Sequence, residues 1–437
     1  MFRHPSSRRR FLQRLALGSA GLAASPLLPT WISASEKVKE GGPGYDTAWS
    51  TEALGRAGED YWEAIRERFL IRPGLIPMNA ANLCPAPREV VEATEAAGRD
   101  VDGDVSFQNR ATYDELREGL RQGIAGYLGV GEGEIALVRN TSEANNTIVW
   151  GVPLEPGDEV VVFDQNHATN NVAWDVRAAR DGIVVRRAAV PETVDGPEEL
   201  LAPFLAAFSP RTRVVTFSDV SNVTGVRLPV RELCQAARNR GIHAHVDGAQ
   251  TFGAEPLELA ELGCDSYATS SHKWFMGPKE GGVLYVREDR IQEIWPLSVG
   301  VGWGSGAETT ARGARKFETL GQRNDATFAG MLTALRMHQE VGPERIENRI
   351  QELAAMVKDG MVGMGAHLIT PRSPALSGGV VVGRFDGVDT GEIHQRLYSE
   401  HGVAGAPTGG LRFCPHIYNT RADVETVLDA VAQLLRA

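Results

Sequence analysis

Cysteine is scarce in this 437-residue chain: Cys84, Cys234, Cys264 and Cys414 lie far apart, with no CxxC pair and no zinc-ligand spacing. That count permits disulfides without demanding any, and four buried thiols acting as small hydrophobes are the simpler reading. Long apolar runs are missing too. None reaches the ~18 uninterrupted residues that a membrane span requires, which excludes a polytopic membrane protein and any stable span. Positive charge is short. Lys and Arg number 45 against 56 Asp and Glu, a net of −11. Residues 1–34 hold five Arg and no acid, so the rest of the chain carries 40 basic against 56 acidic residues, or −16. Such a body is a poor partner for nucleic acid or an anionic membrane face. A hydrophobic share of 42% and a charged share of 23% exclude disorder, collagen and a coiled coil. Glycine is plentiful, at 48 residues, as suits a loop-rich α/β fold whose backbone must approach a ligand closely. The length is about three times the roughly 150 residues of one domain, so one large or two to three smaller domains are expected.

The first thirty-odd residues are an address rather than part of the fold. Ser7-Arg8-Arg9-Arg10-Phe11-Leu12 precedes an apolar stretch, Leu15 to Leu28, that is diluted by Gly18, Ser19, Gly21 and Ser25. A basic head, a weakly apolar middle and small residues near Ala34 make an export signal. Twin Arg followed by Phe-Leu resembles the twin-arginine signal, a receptor-read address that leads folded proteins to the periplasm. Residues 35–75 then read as linker and N-terminal arm.

Beyond the linker, β-branched runs alternate with helical ones. The clearest strands are Ile135–Arg139, Glu159–Phe163, Ile183–Arg186, Arg213–Ser218, His243–Val246 and Gly282–Val286. Helical spacing marks Tyr61–Leu70, Arg88–Arg99, Glu143–Trp150, Asn170–Asp181, Pro197–Phe208, Pro229–Arg240 and Leu257–Leu262. Alternation of this kind predicts an α/β fold with a mostly parallel sheet between helices. After Glu318 the character changes: two helices (Ala326–Glu340 and Pro343–Gly360) and the strand Gly379–Phe385 suggest a smaller α+β unit. The expected division is a large domain over 76–315 and a small C-terminal domain over 316–437.

In open α/β sheets, ligands bind beyond the carboxyl ends of the strands, so the residues there test the reading. Asn140-Thr141-Ser142-Glu143 is a hydroxyl pair at a helix start, either a phosphate site or an ordinary N-cap. Asp164-Gln165-Asn166-His167 offers a lone His. Asp219-Val220-Ser221-Asn222-Val223-Thr224-Gly225 reads as a polar turn. Asp247-Gly248-Ala249-Gln250 places an Asp at a strand end, where helix caps also occur. The bland account weakens at Ala268-Thr269-Ser270-Ser271-His272-Lys273-Trp274, read as a small-residue loop. A Lys between His and Trp, ahead of Gly277-Pro278-Lys279-Glu280-Gly281-Gly282, is no ordinary surface Lys. Together these ends supply what pyridoxal 5'-phosphate needs: a Lys for a Schiff base, a carboxylate for the pyridine nitrogen and a phosphate cradle. A Lys amine must have its pKa lowered to react, and His272 with the neighbouring phosphate site are plausible tuners.

The set Thr141-Ser142-Glu143, His167, Ser221-Asn222-Val223-Thr224-Gly225, His245-Val246-Asp247-Gly248-Ala249-Gln250 and Ser270-Ser271-His272-Lys273 resembles the class V aminotransferases. These are fold-type I pyridoxal-phosphate enzymes, and the resemblance spans roughly residues 75 to 430. It implies that Lys273 holds the cofactor and serves as base and acid at Cα. Asp247 would meet the pyridinium nitrogen and Gln250 the phenolic oxygen. Asn222 would lie near that oxygen or the substrate carboxylate, and His167 on the ring face. Ser142 or Thr141, with Ser270 and His272, would hold the phosphate, and Glu143 belongs to the same cofactor-binding set. Leu411-Arg412-Phe413 through Ile417-Tyr418-Asn419-Thr420 resembles the family's C-terminal segment, so Arg412 would clamp the α-carboxylate of an amino-acid-like substrate. Lys316 to Asp325 resembles the stretch from which a partner subunit reaches the phosphate, with Gln322 in the position of a Thr. A homodimer with a shared active site is therefore expected.

Desulfurases of this family carry a nucleophilic Cys before the C-terminal Arg, and His401-Gly402-Val403-Ala404-Gly405-Ala406-Pro407 has none. The resemblance thus favours the isopenicillin N epimerase-like branch, acting at Cα. Transamination of a small amino acid and β-elimination at a C–S bond stay open as alternatives. Intact Lys273, Asp247 and Arg412 count against a non-catalytic carrier. No metal site is expected. The stretch Gly300 to Gly313 is expected at the substrate mouth, with Arg312 or Arg315 reading a second carboxylate.

Overall fold

The computed structural model describes residues 55–300 and 312–436; the expected export signal and Trp303 lie outside the described residues. After a two-residue strand, β1 (Ile76–Pro77), seven strands build the main sheet. They are β2 (Ile135–Val138), β3 (Glu159–Phe163), β4 (Val184–Ala188), β5 (Thr212–Ser218), β6 (His243–Asp247), β7 (Ser266–Ser270) and β8 (Gly282–Val286). Their order is β2-β8-β7-β6-β5-β3-β4. All run parallel except β8, which is antiparallel to both β2 and β7. The architecture is the expected α/β sheet between helices.

Side chains alternate across this sheet even where the strands are wholly buried. Val161 and Phe163 of β3, Ile135 and Leu137 of β2, and Val283 and Tyr285 of β8 enter one core layer. That layer lies against helices Arg88–Gly103, Phe107–Tyr127, Pro197–Ala207 and Val230–Arg238. Val160, Val162, Ala136, Val138, Leu284 and Val286 enter the opposite layer, against helices Thr141–Gly151 and Ala168–Asp181. Burial of each such aliphatic side chain contributes roughly 1.5–3 kcal/mol, so the two layers set the register of every strand.

β7 corrects the expectation of a loop from Ala268 onward. Ser266-Tyr267-Ala268-Thr269-Ser270 lacks a β-branched run, yet its pairing with β6 and β8 makes it a central strand. Helix Phe107–Tyr127 was not assigned from the sequence either; Ser106 caps it, accepting from Asn109 N at 3.2 Å.

Beyond the main sheet, β9 (His367–Leu368), β10 (Val381–Arg384) and β12 (Leu411–Phe413) form an antiparallel sheet in the order β12-β10-β9. Between them, β11 (Val403–Ala404) pairs in parallel with β1. Helices Pro343–Gly363, Thr390–His401 and Arg421–Arg436 cover this unit with Leu353, Val357, Leu397, Val427 and Val431. Helix Asp325–Val341, just past the expected boundary at 315, packs instead against Arg88–Gly103 and Phe107–Tyr127. The N-terminal segment threads between the units. Met78 N donates to Ala404 O at 2.9 Å, Ala80 N to Cys414 O at 3.1 Å and Cys84 N to His272 O at 2.9 Å.

Candidate active site

The carboxyl ends of β2, β3, β5, β6 and β7 converge on a cavity of about 320 Å³. Thr141, Ser142, His167, Asn222, Asp247, Gln250, Ser270, His272, Lys273 and Arg412 all line it. The sequence reading had not singled out Asn82, Asn140, Thr169, Ser218 or Thr408 as site residues, and they share the wall.

One corner of the cavity is built for an anion. Thr141 opens a helix directly after β2, and its N–H donates to Ser270 Oγ at 2.8 Å while the two hydroxyls meet at 2.6 Å. Asn140 caps the same helix, accepting from Glu143 N at 3.0 Å. Among the described residues nothing takes the Ser142 hydroxyl, so it is left for a ligand at a positive helix end. The approach of β2 to β7 depends on Gly282, which pairs with both Val138 and Ser270. A Cβ there would sit 2.6 Å from Thr269 O and 2.9 Å from Asn140 Cα.

Asp247 ends β6 at the cavity floor. Its Oδ1 accepts from Ala249 N at 3.1 Å and its Oδ2 from Asn145 Nδ2 at 2.8 Å. Gln250 is held at both ends of its amide: Nε2 donates to Ala81 O at 3.0 Å, and Oε1 accepts from Trp274 Nε1 at 2.8 Å. The second Nε2 hydrogen remains for the cavity.

Lys273 follows β7 in a tight turn, closed by Gly277 N to Ser271 O at 2.7 Å and Met276 N to Lys273 O at 2.9 Å. Met276 adopts a φ of 53°, an uncommon value for a residue with a side chain. The Lys273 amine makes no hydrogen bond among the described residues. Desolvation lowers its pKa, against the pull of Asp247 and with a further push from Arg412. A larger fraction is therefore neutral and nucleophilic at a given pH. His167 caps helix Ala168–Asp181, its Nδ1 accepting from Thr169 N at 3.3 Å. Desolvation and the Lys273 charge lower its pKa as well. His272 is pushed down to about 4 by desolvation and by Lys273 and Lys279. Its Nδ1 is buried without a partner.

Arg412 comes from β12, across the cavity. Nη1 donates to Asn222 O at 2.7 Å and Nη2 to Asn79 Oδ1 at 2.9 Å, while Nε is buried without a partner. A buried guanidinium tethered on two sides and open on the others is suited to a planar carboxylate.

Glu143 and Gln322 do not join the cavity. Glu143 turns back as a cap, its Oε2 accepting from Arg139 N at 2.6 Å and from Arg139 Nε at 3.2 Å. At this helix start Asn140 and Glu143 cap, while Thr141 and Ser142 line the cavity. Gln322 lines a separate cleft with Arg139 and Arg323, and its Oε1 accepts from Arg110 Nη2 at 2.5 Å. Arg315, expected at the mouth, is committed to Glu118, with Nε to Oε2 at 3.1 Å, and Arg312 does not line the cavity. All four cysteines are buried free thiols and none lines the cavity. No group of three or more metal-ligating side chains occurs among the described residues.

Asn145 and Asn79 were missed from sequence. Asn145 lies inside a helix and Asn79 in an irregular segment, and each acts through a residue more than a hundred positions away.

The unpartnered His272 Nδ1, the open helix start, the Asp247 carboxylate and the reactive Lys273 fit pyridoxal 5'-phosphate. Fold and site together define a fold-type I pyridoxal-phosphate enzyme. The profile described as "Aminotransferase class-V" matches residues 79–428, and the chain belongs to that family. The isopenicillin N epimerase of Amycolatopsis lactamdurans is 32% identical over 392 residues, covering 85% of this chain and 98% of that protein. Among solved structures, a C-DES variant with glycine covalently linked to its PLP cofactor has a TM-score of 0.77. It is 26% identical and covers 84% of this chain and 98% of its own. The apo cysteine desulfurase from Thermococcus onnurineus NA1 shares the fold, with a TM-score of 0.76 at 23% identity over 86% of this chain and 98% of that one.

Proposed function

We propose that this protein uses pyridoxal phosphate to move the proton at Cα of an amino acid or aminoacylated compound, as an isopenicillin N epimerase-like enzyme. The observation that carries the reading is the meeting of Lys273, Asp247 and Arg412 in one cavity that no cysteine lines. Ser142, Thr141, Ser270 and His272 hold the phosphate, Asp247 the ring nitrogen, Gln250 the phenolic oxygen and His167 the ring face. Bound there, pyridoxal phosphate supplies an electron sink for the bonds at Cα. The chain does the rest. Arg412 fixes the substrate carboxylate, and the Lys273 amine, lowered in pKa by desolvation, takes and returns the Cα proton. Asn222, whose backbone oxygen holds Arg412 at 2.7 Å, serves either that carboxylate or the phenolic oxygen. A persulfide-forming desulfurase needs a thiol in the cavity, and this site has none.

Incubation of the purified protein with L- and D-amino acids in D2O tests this. Exchange of the Cα hydrogen with loss of optical purity, abolished by Lys273→Ala, is the expected result. Stoichiometric conversion of the cofactor to its amine form would establish a transaminase instead. Release of a keto acid and a sulfur product would establish a C–S lyase, the reading that the likeness to the cystine C–S lyase C-DES favours.

We also propose that residues 1–34 direct export through the twin-arginine route to the periplasm. Cell fractionation should find wild type in the periplasm and Arg8→Lys/Arg9→Lys in the cytoplasm. The exposed Gln322, outside its own chain's cavity, supports a homodimer in which it reaches the other copy's phosphate. A dimer by light scattering, with PLP affinity weakened in Gln322→Ala, is the expected outcome.

A further inference from the structure

Below the cavity floor, five buried polar side chains are joined end to end. Asp247 Oδ2 meets Asn145 Nδ2 at 2.8 Å, and Asn145 Oδ1 meets His245 Nε2 at 2.9 Å. His245 Nδ1 then meets Ser266 Oγ at 2.8 Å, and Ser266 Oγ meets His243 Nε2 at 2.9 Å. Asn145, His245 and Ser266 are 0% exposed, Asp247 3% and His243 6%. The alternation of β6 sets this stripe: His243, His245 and Asp247 occupy every second position and face helix Thr141–Gly151, which carries Asn145. Register places Ser266 of β7 opposite His245. Elsewhere this same layer is filled by Val138, Val160, Val162, Leu284 and Val286. Five polar side chains in a layer whose core is otherwise apolar are costly unless every one is paired, and here each is.

The donors and acceptors admit one direction when Asp247 is ionised. A carboxylate only accepts, so Asn145 turns its amide nitrogen to it and its carbonyl oxygen to His245. That oxygen only accepts, so His245 carries its proton on Nε2 and leaves Nδ1 to accept from the Ser266 hydroxyl. Ser266 Oγ in turn accepts from His243 Nε2. For Asp247 to hold a proton on this oxygen, the Asn145 amide would have to flip, His245 to carry its proton on Nδ1 instead and the Ser266 hydroxyl to turn away from it. Both imidazoles are neutral near pH 7: desolvation pushes His245 down to about 3, and His243 down to about 4. Around His243, Asp265 and Asp289 raise its pKa while Arg290 and Arg287 lower it, and desolvation outweighs all four.

We propose that Asn145, His245, Ser266 and His243 are positioning residues, a hydrogen-bond chain that aims Asp247 toward the cofactor's ring nitrogen. The proposal rests on the pyridoxal-phosphate reading for its purpose, while the direction of the chain is a property of the protein alone.

Two experiments test it. Nitrogen-15 NMR of histidine-labelled, PLP-free protein should show the His243 and His245 imidazoles neutral and protonated on Nε2. An Nδ1-protonated or doubly protonated ring at either position would overturn the direction. The second experiment measures PLP affinity by equilibrium dialysis, with the pH at which the bound cofactor's visible band changes. His245→Leu should weaken PLP binding on the order of 10- to 100-fold, the usual scale for loss of a buried orienting partner, and move the band's titration. His245→Gln, which keeps a donor for Asn145, should restore both. Wild-type affinity and titration in folded His245→Leu would overturn the positioning role. A wild-type protein that takes up no PLP would overturn the cofactor reading instead, with the tautomers still deciding the chain's direction.

Discussion

Arg412 Nη2 donates to Asn79 Oδ1 at 2.9 Å, so a residue of the N-terminal segment aims the guanidinium that we propose as the substrate clamp. Asn79 is set for this by its bridge to Cys414, two residues beyond Arg412. Asn79→Ala frees one arm of the guanidinium without removing its charge. A hydrogen bond to a charged group is worth about 1.5 kcal/mol or more, so KM for the reacting amino acid should rise about tenfold. kcat should stay close to wild type, because carboxylate binding is lost equally from ground and transition states. Steady-state kinetics of Asn79→Ala check this. A fall in kcat at unchanged KM would place Asn79 in the chemical step instead.

The cysteines give a second prediction. Burial pushes the Cys84 and Cys264 thiols up to about 12, and raises Cys234 and Cys414 as well. A thiol needs its thiolate to react. The folded protein should therefore take up almost no iodoacetamide near pH 8, and the unfolded protein four equivalents by mass spectrometry. Cys84→Ala should keep Cα exchange, since its sulfur contacts Tyr418 (3.4 Å) rather than the cavity. Rapid labelling of one cysteine with loss of activity would reopen desulfuration.

Gly248, between Asp247 and Ala249, is required by close approach. A Cβ there would stand 1.7 Å from Tyr267 Cζ, and the Tyr267 hydroxyl meets Thr251 Oγ1 at 2.7 Å below it. Gly248→Ala should cost about 1–3 kcal/mol by overpacking and disturb the turn that gives Asp247 its Ala249 N–H. The readouts are the urea midpoint and PLP affinity. Gly248→Ala/Tyr267→Leu should recover stability beyond the sum of the single changes, since the two sites touch.

Much of this site could be read in the sequence because its chemistry sits at strand ends. Asp247, His167 and Asn222 each follow a run of buried residues that announces a parallel strand. Lys273 stood out by its neighbours, although the strand before it did not. Ser266-Tyr267-Ala268-Thr269-Ser270 is a strand because β6 and β8 flank it, and that information lies in other segments. Helix Phe107–Tyr127 left a signal that was there to use, in the spacing of Tyr113, Leu116, Leu120 and Ile124 behind the Ser106 cap. Asn145 left none. An asparagine within a helix is unremarkable until the fold sets it between His245 and Asp247. Glu143 shows the converse: its place beside a hydroxyl pair suggested a ligand site, and backbone capping claimed it.

Acid stability has a local source at the edge of the sheet. The Glu159 side chain, 0% exposed on β3, accepts from Arg186 Nε at 2.6 Å, Ser209 Oγ at 2.6 Å and Arg211 Nη2 at 2.6 Å. It ties β4 and the turn before β5 to β3. The Arg186 hydrogen bond, outweighing desolvation and aided by Ser209 and Arg211, lowers the carboxyl from its ordinary 4.5 to about 2. A folded-state pKa below the unfolded one means that the protein binds protons on unfolding. The Glu159 contribution is therefore complete above pH 4.5 and is lost as the pH falls toward about 2. Arg186 and Arg211 are themselves 43% and 66% exposed, so solvent and salt screen the pair and the effect should shrink in high salt. Glu159→Gln should be less stable than wild type at pH 7. The gap in urea midpoint between the two should narrow progressively below pH 4.5. A gap that stays constant down to the acid limit would show that Glu159 is held by packing and not by its charge.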